Sequence, residues 1–179
     1  MSTYLEATLD EFRRYKKLAD GAIGQVDDAG FFGTPDPETN SIAIIVKHIA
    51  GNLRSRWTDF LTADGEKPDR DRDGEFALRP GDDREALLVR WEAGWRIALD
   101  ALSALTAANL GDTVFVRGEP ASVVQATQRQ LAHAAYHVGQ IVLLARQYAA
   151  DRWTTLSIAR GGSVAFNEKM RSSHYVDRK

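Results

Sequence analysis

Two histidines four residues apart, His133 and His137, are the side chains in this sequence best suited to chemistry. They lie in the stretch Leu131 to Arg146, which otherwise has the composition of a buried helix. Residues four apart on a helix share a face, so both imidazoles can reach one point and chelate a metal ion. The alternative is a pair of half-buried histidines that hydrogen-bond to the backbone or to neighbouring side chains.

A third ligand would complete a usable metal site, and only His48 and His174 remain to supply an imidazole. His174 lies in the polar segment RSSHYVDRK, where we expect it to be solvated. His48 lies in the apolar segment IAIIVKHIAGNLRSRWTDFL, which follows a suitable N-cap, Ser41. Helical geometry places His48 roughly 120° from the middle of the apolar stripe. We therefore expect it on a flank, where a second helix or a cleft can meet it.

Several other chemistries lack the residues or motifs that they need. The chain has no cysteine, so it has no disulfide, thiolate ligand, iron–sulfur cluster or cysteine nucleophile, and a thiol would have to come from a substrate or cofactor. It has neither the Glu-x-x-His of ferritin-type di-iron sites nor the HExxH of zincins. The phosphate-binding sequences GxGxxG and the P-loop are absent, and so is GxSxG.

Four long amphipathic helices are predicted to position the histidines, because apolar residues recur at spacings of three and four. The first begins with a capping box formed by Thr3 and Glu6. The expected helices run from Thr3 to about Val26, from Ser41 to Leu61, from a cap at Asp82 or Asp83 to about Ala108, and from a cap at Ser122 to Ala149 or Ala150.

The connecting segments are predicted from their polar, glycine and proline residues. Asp27 to Asn40 is expected to be a loop. Ala63 to Arg84 is the most polar stretch, and a loop of this length spans the surface, bridges the end of a bundle or covers a site. Phe76 and Leu78 are expected to attach it to the body of the protein.

The last connections are shorter. Thr113 to Arg117 is predicted to be a strand, followed by a turn at Gly118-Glu119-Pro120, and a short helix is expected around Phe166 to Met170. Four long helices with one short extended segment before the last of them indicate an all-α four-helix bundle. The length of 179 residues suits a single domain, 1–179.

Composition limits the partners. A net charge of −2 gives no reason to expect nucleic acid or an anionic membrane as the main partner. The sequence lacks the run of about 20 apolar residues that spans a bilayer. The N-terminal segment is charged and amphipathic, without the apolar region of a signal peptide, so we expect a cytoplasmic protein.

Other residues near the histidines have candidate roles. Asn52 and Gln140 each lie one turn from a histidine, so they can orient a ligand or bound water, or they can be ordinary polar residues at the bundle edge. Arg54 and Arg56 can meet an anionic substrate near His48, although helix-surface arginines are commonplace. The tryptophans at core spacing are expected to pack rather than to stack on a ligand; they are Trp57, Trp91 and Trp95.

The two histidine motifs together resemble a known family. A histidine on the second helix in IVKHIAGN, followed far downstream by HAAYHVGQI on the last long helix, is similar to the DinB-like (YfiT-like) metalloenzymes. The stretches SIAIIVKHIAGNLRSRWTDFLTADGEKPDRDRDGEF and QRQLAHAAYHVGQIVLLAR resemble more narrowly a subgroup of uncharacterised bacterial proteins in that superfamily. The likeness extends from the first helix to the SIARGGS segment.

The resemblance implies a four-helix bundle with long crossover connections, often assembled as a homodimer. It also implies a divalent metal, with zinc and nickel both found in the family, bound by His48, His133 and His137. Three neutral imidazoles leave coordination positions open, which is typical of a catalytic site.

Two functions follow as hypotheses. The first is a metal-dependent enzyme acting on a small molecule, either hydrolytic or transferring a low-molecular-weight thiol. The second is a non-catalytic dimeric bundle that binds a metal or another ligand. A general base would favour the enzyme, but the sequence offers no convincing one, since Asp59 lies three turns beyond His48.

Overall fold

The computed structural model describes the backbone of residues 3–176 and the side chains of residues 3–172. This part is all-α in class: 65% of it is helical, and one small two-stranded sheet accompanies six helices. None of the described helices is long and apolar enough to cross a membrane. The elements are α1 (Tyr4–Ile23), α2 (Asp28–Phe32), α3 (Ile42–Trp57), α4 (Arg84–Ala104), β1 (Thr113–Val116), β2 (Glu119–Ser122), α5 (Val123–Ala149) and α6 (Ser163–Val176).

The four long helices begin where the sequence predicts, because each has a side-chain cap. Thr3 and Glu6 form the expected capping box, in which the Thr3 amide donates to the Glu6 carboxylate at 2.7 Å. Of the two candidate caps of α4, Asp83 is the one that accepts from a first-turn amide. The other side-chain caps are Ser41 for α3 and Ser122 for α5.

The bounds of four helices differ from the prediction: three end earlier, and the last is longer. The first ends at Ile23, and α4 ends at Ala104 rather than near Ala108. The α3 helix stops at Trp57 because Thr58 adopts an extended ψ of 124° and Asp59 a left-handed φ of 50°. The predicted short helix around Phe166 to Met170 is longer and spans Ser163–Val176.

Two local predictions were wrong. The segment Asp27 to Asn40 is not all loop, since Asp27 caps the short helix α2 through the Gly30 amide at 3.0 Å. The predicted turn at Gly118-Glu119-Pro120 is shifted, because Glu119 and Pro120 belong to β2 and pair with β1. The turn residues are Arg117 and Gly118, both with positive φ, as a two-residue type I′ hairpin requires.

The long helices pack around one apolar core, α3 against α4 and α5, and α1 against α4 and α5. The approach of α3 to α4 is close at Gly94, where a Cβ would lie 2.8 Å from the Ala50 carbonyl oxygen. Trp91 and Trp95 are buried with ring centroids 5.4 Å apart, so the expectation that they pack is confirmed. Trp57 is also buried, against Phe12.

The long loop between α3 and α4 is anchored rather than free. It contains a 3₁₀ turn, Asp73–Phe76, that packs on α3. Phe76 stacks at a tilt on His48, with ring centroids 4.6 Å apart, as expected of an anchoring residue. Leu78, the other predicted anchor, is 42% exposed. The loop is therefore held at its 3₁₀ turn, directly beside a candidate ligand.

Candidate metal centre

The structure brings three histidines together. His48 comes from α3, and His133 and His137 come from one face of α5. One nitrogen from each ring lies within 4.8 Å of the others, close enough to bind a metal ion. The Nε2 atoms of His48 and His133 are 3.2 Å apart. Helix period thus places two rings side by side, and packing of α3 on α5 adds the third.

His48 is held from behind by a carboxylate that the sequence analysis did not identify. Its Nδ1–H donates to Glu75 Oε2 at 2.8 Å, and both side chains are buried. Arg70 fixes Glu75 in turn, since its Nε and Nη2 donate to the two carboxylate oxygens at 2.9 Å each. With the proton on Nδ1, the lone pair of His48 lies on Nε2, which faces His133.

His137 is oriented in a similar way by Gln140. The His137 Nδ1–H donates to Gln140 Oε1 at 2.8 Å, which leaves the lone pair on Nε2. The Gln140 amide also donates to the Tyr136 hydroxyl at 3.2 Å. Gln140 therefore lies in the orienting position considered for it.

Electrostatics favours the uncharged form of His133 and His137. Burial, together with the neighbouring histidines and the charges of Arg56 and Arg70, lowers the pKa of His133 to about 4. Burial and the proximity of His48 also lower the pKa of His137, although its bond to Gln140 opposes the shift. Metal binding requires neutral imidazole, so both rings are ready to coordinate at neutral pH.

The carboxyl of Glu75 stays ionised despite its burial. Burial acts to raise its pKa, but the hydrogen bonds from His48 and Arg70 outweigh this effect and lower it. An ionised Glu75 holds the Nδ1 proton of His48 and makes Nε2 a better electron donor.

The histidines border a cavity of about 640 Å³. This volume is in the range of ordinary small-molecule sites. Its walls come from α3, the 3₁₀ turn, the β hairpin and α5. The aromatic residues in its lining are Trp57, Phe60, Phe76, Phe115 and Tyr136.

The remaining candidates divide between this cavity and the outer surface. Asn52 is buried and lines the cavity, and its Oδ1 has no hydrogen-bond partner in the described structure. Arg56 lines it as well, 3.1 Å from Glu66. Arg54 does not, because two residues along a helix turn the side chain away, and it pairs with Asp69 at the exposed surface. The side chain of His174 lies outside the described residues.

The donor set fits a divalent ion. The Nε2 atoms of His48 and His137 both carry lone pairs because oxygen acceptors hold their Nδ1 protons. Two imidazole ligands on a tetrahedral ion such as zinc lie roughly 3.3 Å apart, and the 3.2 Å between the nitrogens of His48 and His133 matches.

Glu75 could have been suspected from the sequence only through its neighbour Phe76, which was expected to reach the body of the protein.

Comparison with known proteins places the chain in a family. Residues 1–162 match the family described as "Protein of unknown function (DUF1572)", so the chain belongs to that family. The match ends within the SIARGGS segment and covers α1 to α5 with all three histidines. No curated protein matches the sequence.

Proposed function

We propose that this protein is a metal-dependent enzyme of the DinB-like kind, with a divalent metal on His48, His133 and His137. The observation that carries the proposal is the convergence of three imidazole nitrogens on the wall of a cavity of about 640 Å³. In this proposal α1, α3, α4 and α5 form the four-helix bundle of that superfamily. The protein acts in the cytoplasm as a homodimer, and its metal is zinc or nickel.

The cavity favours catalysis over a structural role for the metal. Structural zinc sites have four protein ligands and are closed, whereas catalytic sites have three and leave one position to water or substrate. Among the described residues, the cluster contains three candidate ligands, and it opens on a space large enough for a small molecule.

The residues around the cluster have separable tasks. Glu75 holds the Nδ1 proton of His48, and Gln140 holds that of His137. Arg70 fixes the carboxylate of Glu75 so that it cannot rotate into the cavity. A divalent ion bound there would supply Lewis acidity, which lowers the pKa of a water or thiol.

The reaction is hydrolysis or the transfer of a low-molecular-weight thiol. Of the cavity-lining residues that the structure describes, Glu119 on the hairpin is the one carboxylate, and Glu75 is engaged by two partners. The chain thus offers no free carboxylate beside the histidines within residues 3–172. This favours a substrate that brings its own nucleophile, such as a thiol, which the cysteine-free chain cannot provide.

The lack of a free carboxylate beside the histidines within residues 3–172 also favours the second candidate, a non-catalytic dimeric bundle that binds a metal or another ligand. Without a general base, a three-histidine cavity is suited to binding alone. Activity screens with hydrolytic and thiol substrates, run on metal-loaded protein, separate the two functions. Light scattering on the same samples tests the homodimer.

The metal site is tested by elemental analysis of protein purified without a histidine tag. We expect about one divalent metal per chain in the wild type, and its loss in His48→Ala and in His133→Ala. The matched control is His174→Ala, which removes the remaining histidine and should retain the metal. Wild-type protein that stays empty after dialysis against zinc, nickel and manganese would refute the metalloenzyme.

A further inference from the structure

The cavity has two chemically different ends. Along α3, His48, Asn52 and Arg56 follow one another at intervals of four residues and therefore share a face. Eight residues correspond to about 12 Å along the helix axis. On α5, His133 is preceded by Gln130, which lines the same cavity. A histidine end thus faces a polar end built from arginine and amide side chains.

Positive charge is in excess at the polar end. Three guanidiniums surround the single carboxylate of Glu66, with Arg56, Arg70 and Arg117 at 3.1, 3.2 and 3.4 Å from it. Arg129 has no ion-pair partner among the described residues, although it lies close enough to affect the titration of Arg56. After Arg70 is assigned to its bidentate bond with Glu75, the three other arginines still outnumber the two remaining carboxylates, Glu66 and the cavity-lining Glu119.

Two buried donors at this end lack acceptors. Gln130 is 6% exposed, and its Nε2 has no hydrogen-bond partner. The Arg56 side chain is half-buried, and its buried Nη1 forms an ion pair with Glu66 without hydrogen-bond geometry. Buried polar groups are almost always hydrogen-bonded, so two donors without a hydrogen bond in the lining of one cavity favour an acceptor from a ligand. Burial and the neighbouring arginines lower the pKa of Arg56, although the charge of Glu66 opposes the shift.

We propose that Arg56, Arg117, Arg129 and Gln130 form an anion subsite that binds a carboxylate or phosphate group of the substrate. This inference names the substrate class of the proposed enzyme. It rests on the proposed function only for the part of the substrate that reacts at the histidines. The substrate is a small anionic molecule whose charged group lies at the arginine end while its reacting group reaches the histidines. Guanidinium forks match the oxygens of both kinds of anion.

The subsite is tested by calorimetric titration of the full-length protein at low salt with inorganic phosphate and, separately, with succinate. Low ionic strength is needed because salt screens an exposed arginine such as Arg129. We expect binding of at least one anion, weakened about tenfold or more by Arg129→Gln, since hydrogen bonds to charged groups are strong. The stronger of the two ligands distinguishes a phosphate from a carboxylate substrate.

The matched control is Arg146→Gln, which removes the same charge from an exposed position of α5 outside the cavity. It should bind both anions as the wild type does. Failure of both anions to bind, or equal affinities in Arg129→Gln and Arg146→Gln, would overturn the subsite. Neither arginine is buried, so both variants should fold, which a thermal melt verifies.

Repeating the titration on His133→Ala and on chelator-treated wild type separates this inference from the metal site. Anion binding that survives both treatments and still depends on Arg129 supports the subsite, whether or not the wild type contains metal. Anion binding that disappears with the metal and ignores Arg129 would show coordination to the metal, and it would remove the subsite while leaving the metalloenzyme intact.

Discussion

Two buried carboxylates of the loop between α3 and α4, Asp82 and Glu75, bind consecutive residues of α3, Lys47 and His48. They differ in what else those partners contact. Asp82 accepts from Lys47 Nζ and from Arg90 Nη1, each at 2.7 Å. Lys47 also donates to the Ala77 carbonyl oxygen at 2.7 Å. This cluster joins the loop, α3 and α4 through charges that compensate one another.

The Glu75 cluster is open where the Asp82 cluster is closed. Glu75 is paired with Arg70 and with Nδ1 of His48. The second ring nitrogen of His48, Nε2, faces His133, so it remains available to a metal ion. The ion pairs of Asp82 involve no candidate ligand, so we expect them only to stabilise the loop. The Glu75 carboxylate contacts the imidazole of His48, so we expect it to orient that candidate ligand and raise its basicity. Carboxylates with similar burial and similar partners can therefore serve different purposes, which substitutions distinguish.

Glu75→Gln is expected to have the largest effect on metal binding. The uncharged amide weakens the hold on the His48 Nδ1 proton and loses the ion pair with Arg70, so the basicity and orientation of Nε2 both suffer. We expect zinc affinity to fall by about 10- to 100-fold, the usual cost of removing a carboxylate behind a histidine ligand. Competition against a chromophoric chelator measures the change.

Asp73→Asn is the matched control for that experiment. Asp73 lies two residues earlier in the same 3₁₀ turn, and its side chain is 93% exposed. Its substitution should leave zinc affinity unchanged. Equal zinc affinities for Glu75→Gln and the wild type would remove Glu75 from the site and make both loop carboxylates structural.

Asp82→Asn is expected to act on stability alone. Burial opposes ionisation of Asp82, but the bonds from Lys47, the Arg79 amide and Arg90 prevail and lower its pKa to about 2. Relative to an ordinary value of 3.8, this corresponds to about 2 kcal/mol of folding free energy at pH 7. The variant should be less stable by about that amount in urea unfolding and should bind zinc like the wild type.

The pH dependence of this difference follows from its sign. Because the pKa of Asp82 is lower in the folded state, the contribution is complete above pH 3.8 and is lost as the pH falls towards 2. The stability gap between wild type and Asp82→Asn should therefore be constant from pH 7 to 5 and fall to roughly half at pH 3. A gap that already closes between pH 7 and 5 would contradict the assignment.

The sequence predicted the cluster of three histidines because it depends on helical period. The i, i+4 spacing of His133 and His137 fixes their common face, and the position of His48 off the apolar stripe places it towards a neighbour. The spacing of apolar residues along the helices does not determine the path of the loop between α3 and α4. Glu75 lies 27 residues from His48, and its position depends on how Phe76 and Arg70 anchor the turn.

The arginines show the same limit at shorter range. Arg54 and Arg56 are equivalent by composition and only two residues apart, yet one lies at the surface and the other lines the cavity. Which flank of α3 faces the cavity depends on the packing of α4 and the hairpin, which a single helical pattern does not contain. The short helix α2 was missed because five residues are too few to show periodicity.

The finest test of the Glu75 cluster leaves its charges in place. A Cβ on Gly51 of α3 would collide with the carboxyl of Glu75 and come within 3.2 Å of its Cγ. Gly51→Ala should therefore push Glu75 away from His48 and reduce zinc affinity by about three- to tenfold, less than the loss of the carboxylate itself. The chelator competition used for Glu75→Gln resolves a change of this size.

Gly139→Ala is the appropriate control for Gly51→Ala, because it also replaces a helical glycine near a histidine. A Cβ there meets no atom within 4 Å, so no ligand-orienting group has to move. Alanine favours the helix over glycine by roughly 0.5–1 kcal/mol, so this variant should unfold at a higher temperature with zinc affinity unchanged. If both substitutions raised stability and neither altered zinc binding, the Glu75 side chain could move to accommodate the Cβ of residue 51. Its exact position would then not control the zinc affinity of the histidines.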